Sequence, residues 1–130
     1  MPRMVRVRAM RAADIDAVSR VRVRGWQFAY AGIMPQGYLD GLSAREDAAR
    51  RREFFARSRD AVTSLVAEDA DAVVGWASFG AARDKDAGPG DGELYALYVR
   101  PELIGTGVGR ALTAASLAGA AERGFSRLLL

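Results

Sequence analysis

The sequence contains no cysteine and no histidine, and Lys85 is its only lysine. Without cysteine the chain can form neither a disulfide nor a thiolate nucleophile. Without histidine it lacks the commonest general base and the usual nitrogen ligand of zinc, so we expect no metal site. Any general base must therefore be a carboxylate, a tyrosine or a water molecule held by the backbone.

Long apolar runs are missing as well. No stretch of about 18 apolar residues occurs, which predicts no membrane span and no membrane partner. The basic residues 1–16 lack the apolar segment of a secretory signal, so we expect a cytoplasmic protein. With 130 residues, the chain is long enough for one domain with a small core.

The positive charge is modest and dispersed. The net charge is +3 and the isoelectric point about 9.8, yet the arginines are scattered between Arg3 and Arg127 without a basic run. Such a distribution is more often a solvated surface than a nucleic-acid interface, so a nucleic-acid partner is the less favoured interpretation.

Residues 92–124 organise the rest of the chain. An apolar segment at 94–99 predicts a buried strand, and Pro101 ends it because proline cannot donate a ladder hydrogen bond. A segment with high helix propensity occupies 108–123 and stops before Gly124, a usual helix end. Between strand and helix, glycine takes every second position: Gly105, Gly107 and Gly109.

This glycine loop predicts an anion site. Glycine lets a ligand approach the backbone closely, and the N–H groups of a helix's first turn point at an anion there. Arg110 would add a cation, so a pyrophosphate fits; a plain glycine-rich turn is the alternative. The dinucleotide fingerprint fails, since Arg110 is the sixth residue counted from Gly105, and the Gly-Lys-Ser/Thr of a P-loop is absent.

The segment LYVRPELIGTGVGRAL resembles the acetyl-CoA-binding motif of the GNAT family of N-acetyltransferases. The family pattern is an apolar strand, Val-x-Pro, Arg/Gln-Gly-x-Gly-x-Gly/Ala and a helix. The matching positions are Val99, Pro101, Gly105, Gly107 and Gly109. Ile104 departs from the pattern, because the family usually has Arg or Gln there, so we expect weaker coenzyme binding.

The resemblance implies acetyl-CoA as the cosubstrate. Its pantetheine arm would bond to the backbone of Leu97, Tyr98 and Val99. Its phosphates would lie on the loop and the first helical turn, formed by Ile104, Gly105, Thr106, Gly107, Val108, Gly109 and Arg110. The positive net charge would attract this anionic coenzyme.

Periodicity and turn residues predict an α/β (α+β) fold with the order β-α-α-β-β-β-α-β. Asp14 and Ser43 are the expected N-caps of the first two helices. Gly75 indicates a bulge or a close backbone approach. Trp76 is expected to lie in the core. Residues 80–91 predict a flexible loop, which is a poor place for a fixed catalytic group. We expect strands at 4–8, 61–67, 73–79, 93–99 and 125–130, helices at 12–24, 44–58 and 108–123, and a short helical turn at 36–42.

By the resemblance, this order forms the GNAT fold, a mixed central sheet flanked by helices. Residues 93–130 should form a right-handed parallel crossover. The family normally continues with another helix and two strands, so we expect residues 1–130 to be a single N-acetyltransferase domain that is C-terminally incomplete. The leucine-rich last strand, at a sheet edge, favours self-association, for example as a homodimer.

Residues 26–42 carry the pattern W-x-x-x-Y-x-G-I-x-P-x-x-Y-L-D-x-L. This pattern resembles the N-terminal region of one group of these acetyltransferases, in which the segment overhangs the acceptor. Trp26 and Tyr30 are therefore candidates for the wall of the substrate site. The alternative is core packing, because aromatic residues at i and i+4 usually share a buried face.

For catalysis, a base must remove a proton from the attacking amine, directly or through water. Relatives often have a carboxylate at the start of the central strand, where this chain has Glu93; a solvated Glu93 is the alternative. The N–H of Val99 is the family-like candidate for stabilising the developing oxyanion. No tyrosine matches the family's general acid by motif.

These observations predict an N-acetyltransferase that transfers acetyl from acetyl-CoA to a primary amine of a small molecule or peptide by direct attack. A coenzyme-A-binding domain with little or no turnover is the alternative, since Ile104 departs from the motif. The acceptor itself is not encoded in a recognisable way.

Overall fold

The computed structural model describes residues 5–130 and contains one five-stranded sheet with helices on both faces. The order of strands and long helices agrees with the prediction, and α2 is the short turn expected at residues 36–42. In chain order the elements are β1 (Arg6–Ala9), a 3-10 turn (Ala12–Asp14), α1 (Ile15–Ala29), α2 (Gln36–Asp40), α3 (Ala44–Ser58), β2 (Val62–Asp69), β3 (Ala72–Ala81), β4 (Asp91–Val99), a second 3-10 turn (Pro101–Leu103), α4 (Val108–Glu122) and β5 (Arg127–Leu129).

The strands follow one another across the sheet in the order β1-β2-β3-β4-β5. The first three pairings are antiparallel, and β4 pairs with β5 in parallel, from Asp91 opposite Arg127 to Glu93 opposite Leu129. The prediction of a mixed sheet with a parallel strand–helix–strand unit at its end is confirmed. Met4, the first residue of the predicted strand 4–8, lies outside the described residues.

The sheet is buried on both faces because its central strands alternate between two apolar sets. Ala67 and Val74 pack with Leu112 of α4 on one face. Val66 and Trp76 pack with Val18 of α1 on the other. Trp76 is only 4% exposed, which confirms its predicted core position. Helix α3 packs on α1, so the α1 face carries a second helical layer.

Gly75 shows both features that a glycine inside a strand indicated. The β2–β3 register shifts between Ala67 and Glu68, next to Gly75. A Cβ atom on Gly75 would lie 2.8 Å from Leu112 Cδ1 and 3.1 Å from Val108 Cγ1. The missing side chain therefore lets α4 lie directly on β3.

Helix α1 continues to Ala29, past its predicted end at Arg24. Gly25 does not end the helix; it is a point of close packing. A Cβ atom on Gly25 would lie 2.6 Å from Cδ1 of Tyr98, so glycine allows α1 to approach β4. The contact is between residues far apart in the chain, which is why local helix propensity did not indicate it.

The two predicted N-caps differ. Ser43 caps α3 as expected, since its Oγ accepts a hydrogen bond from the N–H of Glu46 at 3.2 Å. Asp14 precedes α1 but makes no side-chain cap bond to it. Its carboxylate instead accepts from the Arg11 N–H at 2.7 Å and from the Arg8 guanidinium at 2.8 Å.

Candidate active site

The chain leaves the sheet at the end of β4 through a short, well-bonded turn. The N–H of Arg100 donates to the carbonyl of Val74 at 2.9 Å, which holds the last residue before Pro101 against β3. The N–H of Leu103 then donates to the Arg100 carbonyl at 2.8 Å. The glycine loop therefore starts from a fixed point at the edge of the sheet.

Two glycines of the loop have backbone conformations that other residues rarely adopt. Gly105 has a φ of +86° and Gly107 a φ of +103°. A Cβ atom on Gly105 would meet nothing within 4 Å, so the requirement for glycine there is conformational and not steric. Gly109 differs: its Cβ would lie 3.8 Å from Val99 Cγ2, an ordinary contact that alanine could make.

The N-terminus of α4 presents free backbone donors. Gly107 is its N-cap and offers no capping side chain. The first helical hydrogen bond runs from the N–H of Ala111 to the Gly107 carbonyl at 3.0 Å. The N–H groups of Val108, Gly109 and Arg110 precede that bond, so they lack intrahelical acceptors and suit an anion.

The remaining loop residues have distinct surroundings. Thr106 stabilises the loop itself, because its N–H and its hydroxyl both donate to the Leu103 carbonyl. Ile104 is 57% exposed, and Arg110 is exposed as well. The Val108 side chain is fully buried in the core, which leaves only its backbone for a ligand.

Leu97, Tyr98 and Val99 do not present their backbone in the same direction. The Arg100 N–H points to β3, and successive strand residues direct their N–H groups to opposite edges. Leu97 and Val99 therefore point to the edge away from β3, whereas Tyr98 points to β3. In the described part of the chain β5 pairs with β4 only from Asp91 to Glu93, so no strand covers the outer edge at Leu97 and Val99.

The Tyr98 side chain belongs to an aromatic cluster between α1 and the sheet. Its ring stacks near Trp76 with centroids 6.1 Å apart. The Arg22 guanidinium lies 5.0 Å from the Trp76 ring centre and 5.5 Å from that of Tyr98. Arg22 also donates to Asp47 at 3.0 Å, which ties α1 to α3.

Glu93 lies at the beginning of β4 and is held by Arg83. Its carboxylate accepts from the Arg83 backbone N–H at 3.0 Å and from Nη2 of the same residue at 2.7 Å. These hydrogen bonds, the side-chain bond first, hold the pKa of Glu93 below its usual value. Glu93 is therefore charged at neutral pH but a weakened base.

Arg83 lies in the loop between β3 and β4, where we expected no fixed catalytic group, and its hydrogen bonds to Glu93 hold it in place. Besides Glu93, it contacts Tyr95, with its guanidinium 4.2 Å from the ring centre. Tyr95 itself is the extra residue of a bulge in β4, since Ser78 is opposite Ala96 and Phe79 is opposite Leu94. The sequence contained one signal for this contact. Arg83 is the single arginine of residues 80–91, and it lies close to the end of the predicted strand at 73–79.

Trp26 and Tyr30 stack on one another at the C-terminal end of α1. Their ring centroids are 4.5 Å apart. Tyr30 is 37% exposed, and neither residue belongs to the buried core. Trp26 lines a cavity of about 510 Å³ between α1, α2 and α3. The i, i+4 pairing is thus present, but at the surface of the molecule.

Sequence reasoning missed a second, smaller cavity on the same side of the sheet. It has a volume of about 270 Å³ and lies between α1, α3 and the central strands. The arginines Arg22 and Arg51 line it, as do Tyr95 and Ala96 of β4. One signal was available: Arg22 continues the apolar face of α1 that Ile15 and Val18 define, at i, i+3 and i+7.

Comparison with known proteins identifies a family that matches most of the sequence. Residues 26–130 match the sequence profile of the Acetyltransferase (GNAT) family. The chain belongs to this family. It is therefore an N-acetyltransferase by family, and the fold expected from the resemblance is the fold observed.

Individual relatives agree. The protein is 37% identical over 128 residues to the uncharacterized N-acetyltransferase YuaI of Bacillus subtilis (strain 168), an alignment that covers 98% of this chain and 70% of that protein. The PaiA N-acetyltransferase of Thermoplasma acidophilum in complex with coenzyme A superposes with a TM-score of 0.74 at 19% identity, covering 94% of this chain and 75% of that one. A GNAT acetyltransferase of Brucella melitensis in complex with acetyl-CoA superposes with a TM-score of 0.71 at 21% identity, covering 98% and 76%.

Among residues 5–130, no helix has both the length and the apolar composition required to cross a membrane. Over the same range, acidic side chains do not gather in groups of three or more that could hold a metal ion.

Proposed function

We propose that this N-acetyltransferase transfers the acetyl group of acetyl-CoA to a primary amine of a small molecule or peptide by direct attack. The observation that carries the proposal is the glycine loop at the N-terminus of α4, next to the outer edge of β4. The loop offers the N–H groups of the first helical turn to the phosphates, with Arg110 nearby. Leu97 and Val99 offer outward-facing backbone groups to the pantetheine arm.

The acetyl carbonyl would lie next to the N–H of Val99. In the reaction the amine nitrogen attacks the carbonyl carbon, the C–N bond forms, and negative charge collects on the carbonyl oxygen, which the Val99 N–H stabilises. Collapse of this intermediate breaks the C–S bond and releases coenzyme A as thiolate, which takes up a proton. Glu93 takes up the amine proton through a chain of water molecules, because six strand residues, about 20 Å, separate it from Val99.

Trp26 and Tyr30 form a wall for the acceptor in this proposal. Both belong to the end of α1, and Trp26 lines the cavity of about 510 Å³ that α2 and α3 complete. Half-exposed aromatic side chains give a ligand apolar contact area with little conformational entropy to lose. The exposed stack is therefore better suited to contact a ligand than a core pair would be.

One observation favours the second candidate, a coenzyme-A-binding domain with little turnover. The only carboxylate nominated as base, Glu93, forms an ion pair of 2.7 Å with Arg83. A base must be free to accept a proton in the Michaelis complex. Measurement of turnover with a panel of amines, after coenzyme binding is established, separates the two candidates.

The first experiment is calorimetric titration of the protein with acetyl-CoA, with adenosine diphosphate as a weaker reference ligand. We expect binding in the micromolar range, and its loss in Gly107→Val, because valine disfavours a φ of +103°. Gly109→Ala is the matched control, since its Cβ makes only ordinary contacts and should leave the affinity unchanged. Unaltered affinity in a folded Gly107→Val variant would remove the loop from the coenzyme site.

A further inference from the structure

The smaller cavity has an unusual charge distribution. Among the described residues, its charged lining consists of three arginines, Arg22, Arg51 and Arg83, and no carboxylate residue lines it. Aromatic side chains of α3 and the sheet form much of the remaining wall: Phe54, Phe55, Trp76 and Tyr95. Aromatic walls lower the local dielectric constant, which strengthens charge interactions in the cavity.

Two of the three arginines are already neutralised. Arg22 donates to Asp47 at 3.0 Å, and Arg83 donates to Glu93 at 2.7 Å. Neither of these two carboxylates lines the cavity. Within residues 5–130, Arg51 forms neither an ion pair nor a hydrogen bond, and its buried Nε has no acceptor. Its guanidinium lies 5.5 Å from the Phe54 ring centre, and Asp47, already bonded to Arg22, attracts it without a hydrogen bond. One unbalanced positive charge therefore remains at the cavity.

The surroundings of Arg51 oppose its charge. Desolvation by burial lowers the pKa of Arg51, and the neighbouring Arg22 guanidinium adds repulsion. A guanidinium carries five N–H donors, and burying them without acceptors costs free energy. An anion bound in the cavity would relieve both effects, and one residual charge matches a monoanion such as a carboxylate.

The cavity is next to the proposed reaction centre. Ala96 of β4 lines it, and Val99, proposed to hold the acetyl carbonyl, follows on the same strand. Three residues of a strand span about 10 Å. Arg51 and Ala96 line the same cavity, so a small molecule with its anionic end at Arg51 can extend along β4 toward the thioester.

We propose that Arg51 binds a carboxylate of the acceptor, so that the substrate is an amino acid or another amine that carries a carboxylate. This inference rests on the proposed function, since it names the acceptor of the same reaction. In this proposal Arg51 acts by binding the carboxylate. The volume of about 270 Å³ suits a ligand of amino-acid size.

The decisive variant is Arg51→Met, which retains an apolar stem and removes the charge. Arg45→Met is the matched control, because Arg45 is an exposed arginine of the same helix and forms no ion pair among the described residues. Removal of an unpaired cation should leave the melting temperature of the free protein unchanged or raised. An arginine that only stabilised the fold would show a lower melting temperature.

The acceptor test uses pairs that differ only in the carboxylate. Glycine, β-alanine, longer ω-amino acids and lysine are compared with their carboxamides, and kcat/KM is measured at saturating acetyl-CoA. A charge-assisted bidentate contact predicts a preference of about 10-fold to 100-fold for the best carboxylate over its amide. Arg51→Met should abolish this preference and leave acetyl-CoA affinity unchanged, while Arg45→Met should preserve it.

A binding measurement makes the result independent of turnover. The N-acetyl amino acids and their amides are titrated into the protein in the presence of coenzyme A. Equal affinity of acid and amide in the wild type, or a preference that survives Arg51→Met, overturns the proposal even if amines are acetylated. Absence of acetyl-CoA binding overturns the proposed function instead, and the preference of the protein for N-acetyl amino acids still decides the role of Arg51.

Discussion

At the residue scale, the pair of Arg83 and Glu93 shows how a single contact changes the chemistry of a nominated base. Arg83 occupies both carboxylate oxygens of Glu93, with its backbone N–H on one and its guanidinium on the other. The side-chain bond contributes most to the lowered pKa. A carboxylate held in this way accepts a proton less readily, so the pair would slow proton transfer to Glu93 if this residue is the base.

If Glu93 is the base, Glu93→Gln should reduce kcat by about 100-fold, the lower end of the usual contribution of a general base. Acetyl-CoA affinity should not change, because Glu93 is outside the glycine loop. Steady-state release of coenzyme A and calorimetric titration measure the two effects. An unchanged kcat would mean that water or another group takes the proton.

Arg83→Met tests the same pair from the other side. Without the guanidinium the pKa of Glu93 should rise toward its ordinary value of about 4.3. If Glu93 is the base, its protonation sets the acid limb of the kcat profile, and this limb should move to higher pH in the variant. A pH–rate profile of both proteins measures the shift. If the acid limbs of the wild-type and Arg83→Met profiles superimpose, protonation of Glu93 does not determine the acid limb.

At the scale of single elements, glycine decides how closely helices and strands approach. Gly75 lets α4 lie on β3, and Gly25 lets α1 lie on Tyr98 of β4. Both contacts position β4, whose outer edge is the proposed site of the pantetheine arm. The site therefore depends on packing at glycines outside the coenzyme motif.

Gly75→Ala and Gly109→Ala form a pair with opposite expected effects. At Gly75 the new Cβ would lie 2.8 Å from Leu112 Cδ1, and such overpacking costs about 1–3 kcal/mol. At Gly109 the new Cβ would make an ordinary contact, and alanine has the higher helix propensity, so stability should stay the same or rise. Urea unfolding measures both. Equal free energies of unfolding for wild type and Gly75→Ala would show that α4 can shift without cost.

The parallel strands β4 and β5 share an ion pair whose contribution to the stability of the fold should depend on pH. Arg127 donates to Asp91 across the two strands at 2.8 Å, and this bond, with one from the Gly88 N–H, lowers the pKa of Asp91 from 3.8 to about 2. A carboxyl group with a lowered pKa stabilises the folded state above pH 3.8, and the contribution is lost as the pH falls toward 2.

In Arg127→Met the melting temperature should therefore fall less steeply with acidification over that range. Differential scanning calorimetry from neutral to acidic pH measures the slope. Arg57→Met, at an exposed arginine of α3, is the control and should keep the wild-type slope. A slope in Arg127→Met as steep as that of the wild type would show that the pair does not link stability to pH.

At the scale of the whole molecule, the net charge of +3 attracts an anionic coenzyme toward the protein. The field of dispersed arginines steers such a ligand to the surface and is screened by salt. We expect the KM for acetyl-CoA to rise several-fold between about 50 mM and about 500 mM NaCl, where the Debye length falls steeply. Initial rates at fixed acceptor concentration measure it. A KM independent of salt would mean that local backbone donors alone hold the phosphates.

The sequence by itself determined the elements and the glycine loop, because their signals are local. Pro101 ends β4, the positive φ values at Gly105 and Gly107 require residues without Cβ, and Ser43 caps the helix that follows it. Alternation and helical periodicity act over a few residues, so the order of strands and helices followed from the chain alone, whereas the end of α1 at Ala29 did not. The family motif draws on the same local pattern.

Only the tertiary structure decided what surrounds those elements. The partners Arg83 and Glu93, Arg22 and Asp47, and Gly25 and Tyr98 belong to different elements, and no local pattern pairs them. The same holds for Arg51, whose side chain has no hydrogen-bond or ion-pair partner among residues 5–130: packing determines which of the eighteen arginines lies half-buried beside an aromatic wall. Charge and burial depend on the folded surroundings of a side chain, and these arise when distant segments pack together.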